Sequence, residues 1–342
     1  MMRWRRRTAA RLALAGLAIP LLAAGATPAP LEEVGMAPHT YTNPVYQANF
    51  PDPTAVLVED TWYAYGTNGP AGNVPVLTSP DLVTWSPAGD ALPRLGGWAT
   101  PGYTWAPDVL RLRDRYLLYY TARSARTGRQ CIGVAQARSP LGPFRDTAAE
   151  PLVCQADQGG SIDPAVFRDH DGSLYLLWKN DGNAVGAPTR IYAQPLARGG
   201  TALAGSPRVL FRNHADWHGP VVEAPQLVRR DRRYLLFYSA NRYDSTEYAV
   251  GYAVCDSPLG PCQDAPENPI LRSGRTAAGP GHSHLVEHPD GSTWLLYHAW
   301  RPDAVGAEPP GRSLWLDRVD WVAGRPVVRG PASGPQPRPG LA

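Results

Sequence analysis

The sequence repeats one unit five times. Each copy opens with a short polar stretch, continues into apolar residues, turns at a charged or glycine-containing corner and ends on an aromatic strand. Equivalent points in successive copies lie 53 to 60 residues apart. Periods of this size, with several short strands each, are typical of β-propeller blades, and an all-β five-bladed β-propeller is therefore predicted. The copies begin at Pro51, Trp105, Ile162, Val222 and Gly281.

An alignment of the copies on their closing aromatic residue predicts which residues face the propeller axis. In four copies the aromatic lies fifteen residues after the aligned position, and the first copy is two residues shorter, at its corner near Asp60. The first strand of each propeller blade lines the central channel, so side chains at its start are expected to converge. The aligned position is occupied by Asp52, Trp105, Asp163, Glu223 and His282.

Three of these five residues are carboxylates. Carboxylates without matching cations are unfavourable together unless they titrate at different pH values. One protonated acid and one ionised base at the same pH is the requirement of inverting glycoside hydrolysis, in which the two groups stand roughly 6.5–9.5 Å apart. Taken singly, Asp52-Pro53 and Asp163-Pro164 could instead be turns that start a strand.

Five short motifs stand in order along the chain: NPVYQANFPDP from Asn43, GSIDPAVF from Gly160, VVEAPQLV from Val221, GPGHSH from Gly279 and YHAW from Tyr297. Together they resemble glycoside hydrolase family 43. The resemblance covers residues 41–330 and implies a five-bladed propeller among arabinofuranosidases, arabinanases and β-xylosidases. It implies that Asp52 is the general base, that Glu223 is the general acid, and that Asp163 orients Glu223 and tunes its pKa.

Further site residues are predicted beside the three carboxylates. Trp105 is expected either to stack on a sugar ring or to pack between blades. The resemblance implies that His282 faces the channel and binds a metal, often calcium, through water, with His284 as a second candidate; either could instead be structural. Lys179 and Asn180 are expected either to bind sugar hydroxyls or to form a solvated strand end. No cofactor is expected to be required for the chemistry.

The amino terminus has the pattern of a secretory signal peptide. A basic run, Arg3–Arg7, precedes an apolar stretch that is short for a membrane anchor, and an Ala-Gly-Ala cleavage site follows at residues 24–26. The expected organisation is a signal peptide at 1–26, a disordered linker at 27–40, the propeller at 41–330 and a disordered tail at 331–342. The mature chain is expected to be extracellular, free of the membrane and monomeric.

Charge and cysteine content narrow the partners further. Five arginines lie in the first eleven residues, and without them the formal charge falls from +3 to about −2. With no basic run beyond the leader, nucleic-acid binding is not expected, and the aromatic-rich composition favours a carbohydrate partner. Four cysteines in an exported chain indicate disulfides; three pairings are possible, and the local pairs Cys131–Cys154 and Cys255–Cys262 are expected.

The functional hypothesis is a secreted, inverting glycoside hydrolase that acts on arabinan- or xylan-type plant cell-wall polysaccharides. An exo-acting α-L-arabinofuranosidase is favoured, because the Trp178–Asn183 segment and the paired cysteines resemble the exo-arabinanase-like branch of the family. A β-xylosidase, a retaining fructosidase and a non-catalytic glycan-binding propeller are the alternatives.

Overall fold

The computed structural model describes residues 39–340. The predicted signal peptide and nearly all of the predicted linker lie outside the described residues. The five repeats form five antiparallel sheets, which confirms the predicted five-bladed β-propeller. Helix within residues 39–340 amounts to short 3₁₀ turns, and none is long and apolar enough to span a membrane. The 3₁₀ turns are Ala156–Gln158, Gly182–Val185 and Asp216–His218.

The strands follow the repeat closely. Blades 1, 3, 4 and 5 have four strands each, and blade 2 has three. In chain order, the strands of the five blades, with one short strand before and one after them, are β1 (Thr40–Tyr41); β2 (Thr54–Val58), β3 (Thr61–Tyr65), β4 (Pro75–Ser79), β5 (Ser86–Asp90); β6 (Ala99–Arg111), β7 (Tyr116–Ser124), β8 (Gln130–Ala137); β9 (Ser161–Arg168), β10 (Leu174–Asn180), β11 (Arg190–Leu196), β12 (Arg208–Arg212); β13 (Val222–Arg230), β14 (Arg233–Ala240), β15 (Ala249–Cys255), β16 (Cys262–Asp264); β17 (Ala278–Glu287), β18 (Thr293–Trp300), β19 (Ser313–Val322), β20 (Arg325–Val328); and β21 (Gln336–Pro337).

The first strands of the blades form a closed ring. Strands β2, β6, β9, β13 and β17 each pack against the next, and β17 returns to β2. The hydrophobic core is divided accordingly into five clusters, each lying between two neighbouring blades. The closing aromatics supply much of this core, because alternate side chains of a strand point to opposite faces of the sheet. Tyr120, Trp178, Tyr238 and Tyr297 are all buried within it.

The ring is closed by contacts between the two ends of the propeller. The sheet partners of β19 are β18 and β20, so this strand does not pair with an amino-terminal strand. The amino-terminal segment reaches β19 through a single bridge, Tyr46 to Leu314. Asn43 adds side-chain hydrogen bonds, donating to the carbonyl of Leu316 at 2.8 Å.

The carboxy-terminal segment, expected to be disordered, is instead ordered against the propeller. Strand β21 pairs with β1, so the two ends of the described chain meet. The backbone amide of Ala332 donates to the carboxylate of Asp317 at 3.3 Å. A composition rich in proline does not prevent order here, because two residues of backbone pairing and one buried acceptor fix the segment.

Both expected disulfides are present. Cys131 is bonded to Cys154, and Cys255 to Cys262. The second bond joins two directly paired residues of the neighbouring strands β15 and β16. No free cysteine is found within residues 39–340.

Candidate active site

The strand pairing corrects the alignment of the repeats by one residue in blades 2 and 4. Asp108 pairs with Tyr119 and Gln226 with Phe237, eleven residues apart, whereas Ala165 pairs with Leu177, twelve residues apart. Blades 3 and 5 therefore have one more residue at the hairpin corner. When the blades are aligned on strand pairing, the residues of blades 2 and 4 that are equivalent to Asp52, Asp163 and His282 are alanines and not Trp105 and Glu223. Those alanines are Ala106 and Ala224.

Backbone geometry marks the same five positions independently. Asp52, Ala106, Asp163, Ala224 and His282 all have positive φ, between 43° and 56°. In blades 2 to 5 each of them lies in a break of the strand pairing. Positive φ in non-glycine residues is unfavourable, and bulges of this kind re-aim side chains beside active sites. Trp105 and Glu223 come one residue earlier in their bulges and still face the centre.

One cavity of about 540 Å³ brings the aligned residues of all five blades together. It lies at the end of the propeller where the first strands start. A monosaccharide-sized ligand fits such a cavity, since small-molecule sites of several hundred Å³ are usual. The five converging residues line it as the first alignment predicted, despite the shift of one position: Asp52, Trp105, Asp163, Glu223 and His282.

Asp52 is held as a carboxylate by the groups around it. Arg312 donates to its Oδ1 at 2.8 Å, His282 Nδ1 lies 3.3 Å from the same oxygen, and the hydroxyl of Thr67 donates to Oδ2. Burial alone raises the pKa of Asp52, but the Arg312 guanidinium and the His282 imidazole outweigh it. The pKa of Asp52 lies well below its usual range. Such a group can accept a proton from water over a wide pH interval.

Asp163 has the opposite environment. Its carboxylate Oδ2 accepts a hydrogen bond from the backbone amide of Ala224 at 3.0 Å, and it therefore fixes the peptide that follows Glu223. Burial, partly offset by His282, raises the pKa of Asp163 to about 6. Asp52 and Asp163 therefore titrate far apart, as the sequence argument required.

Glu223 is fixed at both carboxylate oxygens. The phenol of Tyr248 donates to Oε1 at 2.9 Å, and the ammonium of Lys179 donates to Oε2 at 3.0 Å. The Tyr248 ring fits only because residue 281 is glycine, since a Cβ on Gly281 would lie 2.0 Å from the ring. The ring also stacks on His298, 5.8 Å away and nearly parallel.

Trp105 and Asn180 have different placements. Trp105 lines the cavity and is partly exposed to it, as a sugar-stacking residue would be. Asn180, expected to bind a sugar hydroxyl, is fully buried instead. Its Oδ1 accepts from the amide of Arg190 at 2.7 Å, and its Nδ2 donates to the carbonyl of Pro188 at 3.1 Å. Asn180 therefore fixes the 182–190 loop and is not available to substrate.

The residues around His282 do not form a set of direct ligands for a calcium ion. Calcium takes about six to eight oxygen ligands. The Nδ1 of His282 faces Asp52 Oδ1, an oxygen that also accepts from Arg312. His284 contacts the Thr54 hydroxyl at 3.1 Å. Within residues 39–340, no cluster of three His, Cys, Asp or Glu side chains is placed to hold a metal.

Arg312, Thr67 and His298 were not predicted as site residues from the sequence, and Lys179 was predicted as a sugar-binding residue or a solvated strand end, not as a partner of Glu223. Arg312 lies in the long connection before β19, outside the repeated core, where no pattern marks it. Thr67, Lys179 and His298 occupy equivalent positions two residues after the strand-paired residue on the second strand of their blades. Correct registration of the repeats would have revealed that position.

A five-bladed propeller whose axial cavity holds an ionised aspartate, a second carboxylate of raised pKa and an anchored glutamate has the construction of a glycoside-cleaving site. The family described as glycosyl hydrolases family 43 matches residues 41–326. Because this match covers most of the chain, the protein belongs to that family.

Relatives within the family differ in substrate. A β-D-galactofuranosidase of Aspergillus niger is 28% identical and covers 75% of each chain. A non-reducing end α-L-arabinofuranosidase of Bacteroides ovatus is 27% identical over 86% of this chain, which spans 54% of that protein. An extracellular endo-α-(1→5)-L-arabinanase of Bacillus subtilis is 25% identical over 80% of this chain. The crystal structure of a thermostable family-43 glycoside hydrolase superposes with a TM-score of 0.80 at 33% identity, covering 88% of this chain and 99% of its own.

Proposed function

We propose that this protein is an extracellular, inverting, exo-acting glycoside hydrolase that releases arabinofuranose from plant cell-wall polysaccharides or oligosaccharides. In this reaction Asp52 takes a proton from water, and the oxygen of that water forms a bond to the anomeric carbon. The bond from that carbon to the leaving oxygen breaks as Glu223 gives its proton to the oxygen. Asp163 orients Glu223.

The contrast between Asp52 and Glu223 in one cavity carries this proposal. Asp52 is held as a carboxylate by Arg312 and His282, as a base must be. Glu223 lies in blade 4, two blades after Trp105 and on a different wall of the cavity from Asp52. Its backbone is fixed by Asp163. Two carboxyl groups with separate environments and separate supports are the requirement for acid and base catalysis at a single pH.

A second cavity, of about 640 Å³, adjoins the first at Glu223. It shares Asn183, Glu223 and Tyr243 with the first cavity, but it contains neither Asp52 nor Asp163. A sugar ring undergoing attack belongs in the cavity with Asp52, so the leaving group belongs on the far side of the acid. The second cavity is the proposed position of the remaining glycan chain.

Arabinofuranose is the proposed sugar because arabinofuranosidases and arabinanases are among the relatives, and the exo-arabinanase-like resemblance of the Trp178–Asn183 segment agrees with this. Relatives named β-xylosidase and β-D-galactofuranosidase make xylose and galactofuranose the outcomes to exclude. The extracellular location is supported by two disulfides and by the extracellular arabinanase relative.

The test is activity on aryl α-L-arabinofuranoside, β-D-xylopyranoside and β-D-galactofuranoside, with linear arabinan as polymer. We expect arabinofuranoside cleavage, arabinose as the product from arabinan, and an inverted anomeric centre by NMR at early times. Cleavage of the xyloside or galactofuranoside alone would overturn the sugar, a retained anomer would overturn inversion, and larger arabinan fragments would overturn exo action. Glycan binding without cleavage would leave only a lectin.

A further inference from the structure

A ring of hydrogen bonds links the five blades at the floor of the cavity. The backbone amide of each positive-φ residue donates to a side chain outside its own strand. In four of the five junctions, the acceptor lies on the second strand of the preceding blade or just after it, at one equivalent position. These four bonds are Ala106 to Thr67 at 2.9 Å, Asp163 to Thr121 at 3.2 Å, His282 to Ser239 at 2.8 Å and Asp52 to His298 at 3.1 Å.

The junction between blades 3 and 4 is the exception. Its equivalent position holds Lys179, and a protonated amine has no acceptor for the next amide. The amide of Ala224 donates to Asp163 instead, at 3.0 Å. This substitution in the ring frees the Lys179 side chain, whose Nζ lies 3.0 Å from Glu223 Oε2 and 3.9 Å from Asp181 Oδ1.

Lys179 is charged although it is completely buried. Burial lowers the pKa of a lysine, but the Glu223, Asp163 and Asp181 carboxylates outweigh that effect and raise it above its usual value. A buried lysine is unfavourable unless it is paired. It is also the only lysine in the sequence. A threonine or serine would satisfy the ring at lower cost, as it does in three other blades.

We propose that Lys179 is a positioning residue that works through the acid Glu223, and this inference rests on the function proposed above. As the Glu223 proton moves to the leaving oxygen, a negative charge develops on the carboxylate. The Lys179 ammonium, 3.0 Å away, stabilises that charge without itself gaining or losing a proton. Asp163 takes over the structural hydrogen bond that the ring would otherwise lack.

The charged surroundings of Glu223 define the expected pH behaviour. With Lys179 removed, Glu223 loses its ammonium partner while the neighbouring carboxylates remain, so the alkaline limb of the pH profile is expected to move to higher pH. The titratable groups that face Glu223 are Lys179 and Asp181 of β10 and the segment after it, Asp163 of β9 and Tyr248 before β15, with Asp52 and His282 beyond Asp163.

Lys179→Thr tests the proposal, because it places the residue used in blades 1 and 2 at this position of blade 3. Kinetics are compared on two glycosides of the same sugar. One has a dinitrophenyl leaving group that departs without protonation, and the other, called the sugar alcohol glycoside, has an unactivated hydroxyl of a second sugar as its leaving group. We expect kcat/KM to fall by about 10²-fold on the sugar alcohol glycoside and by less than about 10-fold on the other. The alkaline limb should move to higher pH, and Lys179→Arg should restore part of the activity.

Equal losses on both substrates with an unmoved alkaline limb would overturn the proposal, because they would indicate a purely structural role. Circular dichroism and the melting temperature check that Lys179→Thr is folded, and Lys179→Met, which cannot complete the ring, serves as a second uncharged variant with the same expected selectivity. Glu223→Gln separates the two proposals. If Glu223→Gln is active on the sugar alcohol glycoside, the proposed function itself is overturned. If Glu223→Gln is inactive there and Lys179→Thr loses activity equally on both substrates, only the role of Lys179 is overturned.

Discussion

Asp52 and Glu223 are both carboxyl groups in the same cavity, yet their supports differ in kind. Asp52 lies beside the guanidinium of Arg312 and the imidazole of His282, which together keep it ionised. Glu223 is fixed by one ammonium and one phenol, and its backbone is tied to Asp163. In the proposed mechanism this difference separates a base from an acid: cations surround the first, and a mixed set of donors and neighbouring carboxylates surrounds the second.

Asp52→Asn is expected to have the largest effect. Without its carboxylate, the enzyme has no group to accept the proton of the attacking water, and kcat should fall by about 10³- to 10⁴-fold. The loss should be similar on good and poor leaving groups, because attack by water is required whichever leaving group departs. Steady-state kinetics on the dinitrophenyl glycoside and on the sugar alcohol glycoside measure this.

Asp108→Asn is the matched control for that experiment. Asp108 is another buried aspartate of the central channel, where it accepts from Thr54 and from the amide of Val166, but it does not line the cavity. We expect Asp108→Asn to lower the melting temperature while kcat stays within a few-fold of the wild type. If Asp52→Asn kept its activity, Asp52 would not be the base.

Glu223→Gln should be selective where Asp52→Asn is not. The amide cannot deliver a proton, so glycosides of poor leaving groups should lose about 10²- to 10³-fold in kcat/KM, and dinitrophenyl glycosides far less. A plot of log kcat against leaving-group pKa should steepen relative to the wild type. Uniform loss across the series would remove the distinction between the two carboxyl groups.

Arg312→Met sharpens the comparison through pH. Because the guanidinium favours the ionised form of Asp52, its removal should raise the pKa of Asp52. The acidic limb of kcat/KM should therefore move to higher pH, by about one unit or more. Arg301→Met is the control, because Arg301 is exposed and paired with Asp303, and it should leave the limb in place. An unmoved limb in Arg312→Met would show that Arg312 does not set the ionisation of Asp52.

The smallest of the expected effects is a shift in stability, which Asp163→Asn tests separately from the proposed role of Asp163 in orienting Glu223. The pKa of folded Asp163 is raised to about 6 by burial, above its unfolded value, so its contribution to stability is present below about pH 4 and is lost as pH rises through about 6. The asparagine does not titrate. Between pH 4 and pH 7, the melting temperature measured by calorimetry should therefore fall by a few degrees less in the variant than in the wild type.

Much of this protein could be predicted from its sequence because the blades repeat. The repeat length, the closing aromatics and the family motifs determined the number of blades, the interblade core and the identity of Asp52, Asp163 and Glu223 as cavity residues. These features are local: a hairpin with one apolar face must bury it against a neighbour, and five copies of about sixty residues complete the ring. The local cysteine pairs followed from the same proximity.

The exact register was decided by tertiary structure. A hairpin corner that differs by one residue between blades 2 and 3 is invisible when copies are aligned on their aromatics, and it separates Trp105 and Glu223 from the positions they were assigned. The structure also decided that Asn180 fixes a loop, because its amide meets the carbonyl of Pro188 only after the chain has folded back.

The partners of the carboxylates were likewise determined only by the fold. Arg312 lies 260 residues from Asp52 in the sequence, and Lys179 and Glu223 are 44 residues apart in neighbouring blades. The sequence identifies the groups that can carry charge, and the repeat predicts which of them lie near the axis. Which cation meets which carboxylate depends on how neighbouring blades are packed, and that packing places the charged groups on which the proposed chemistry depends.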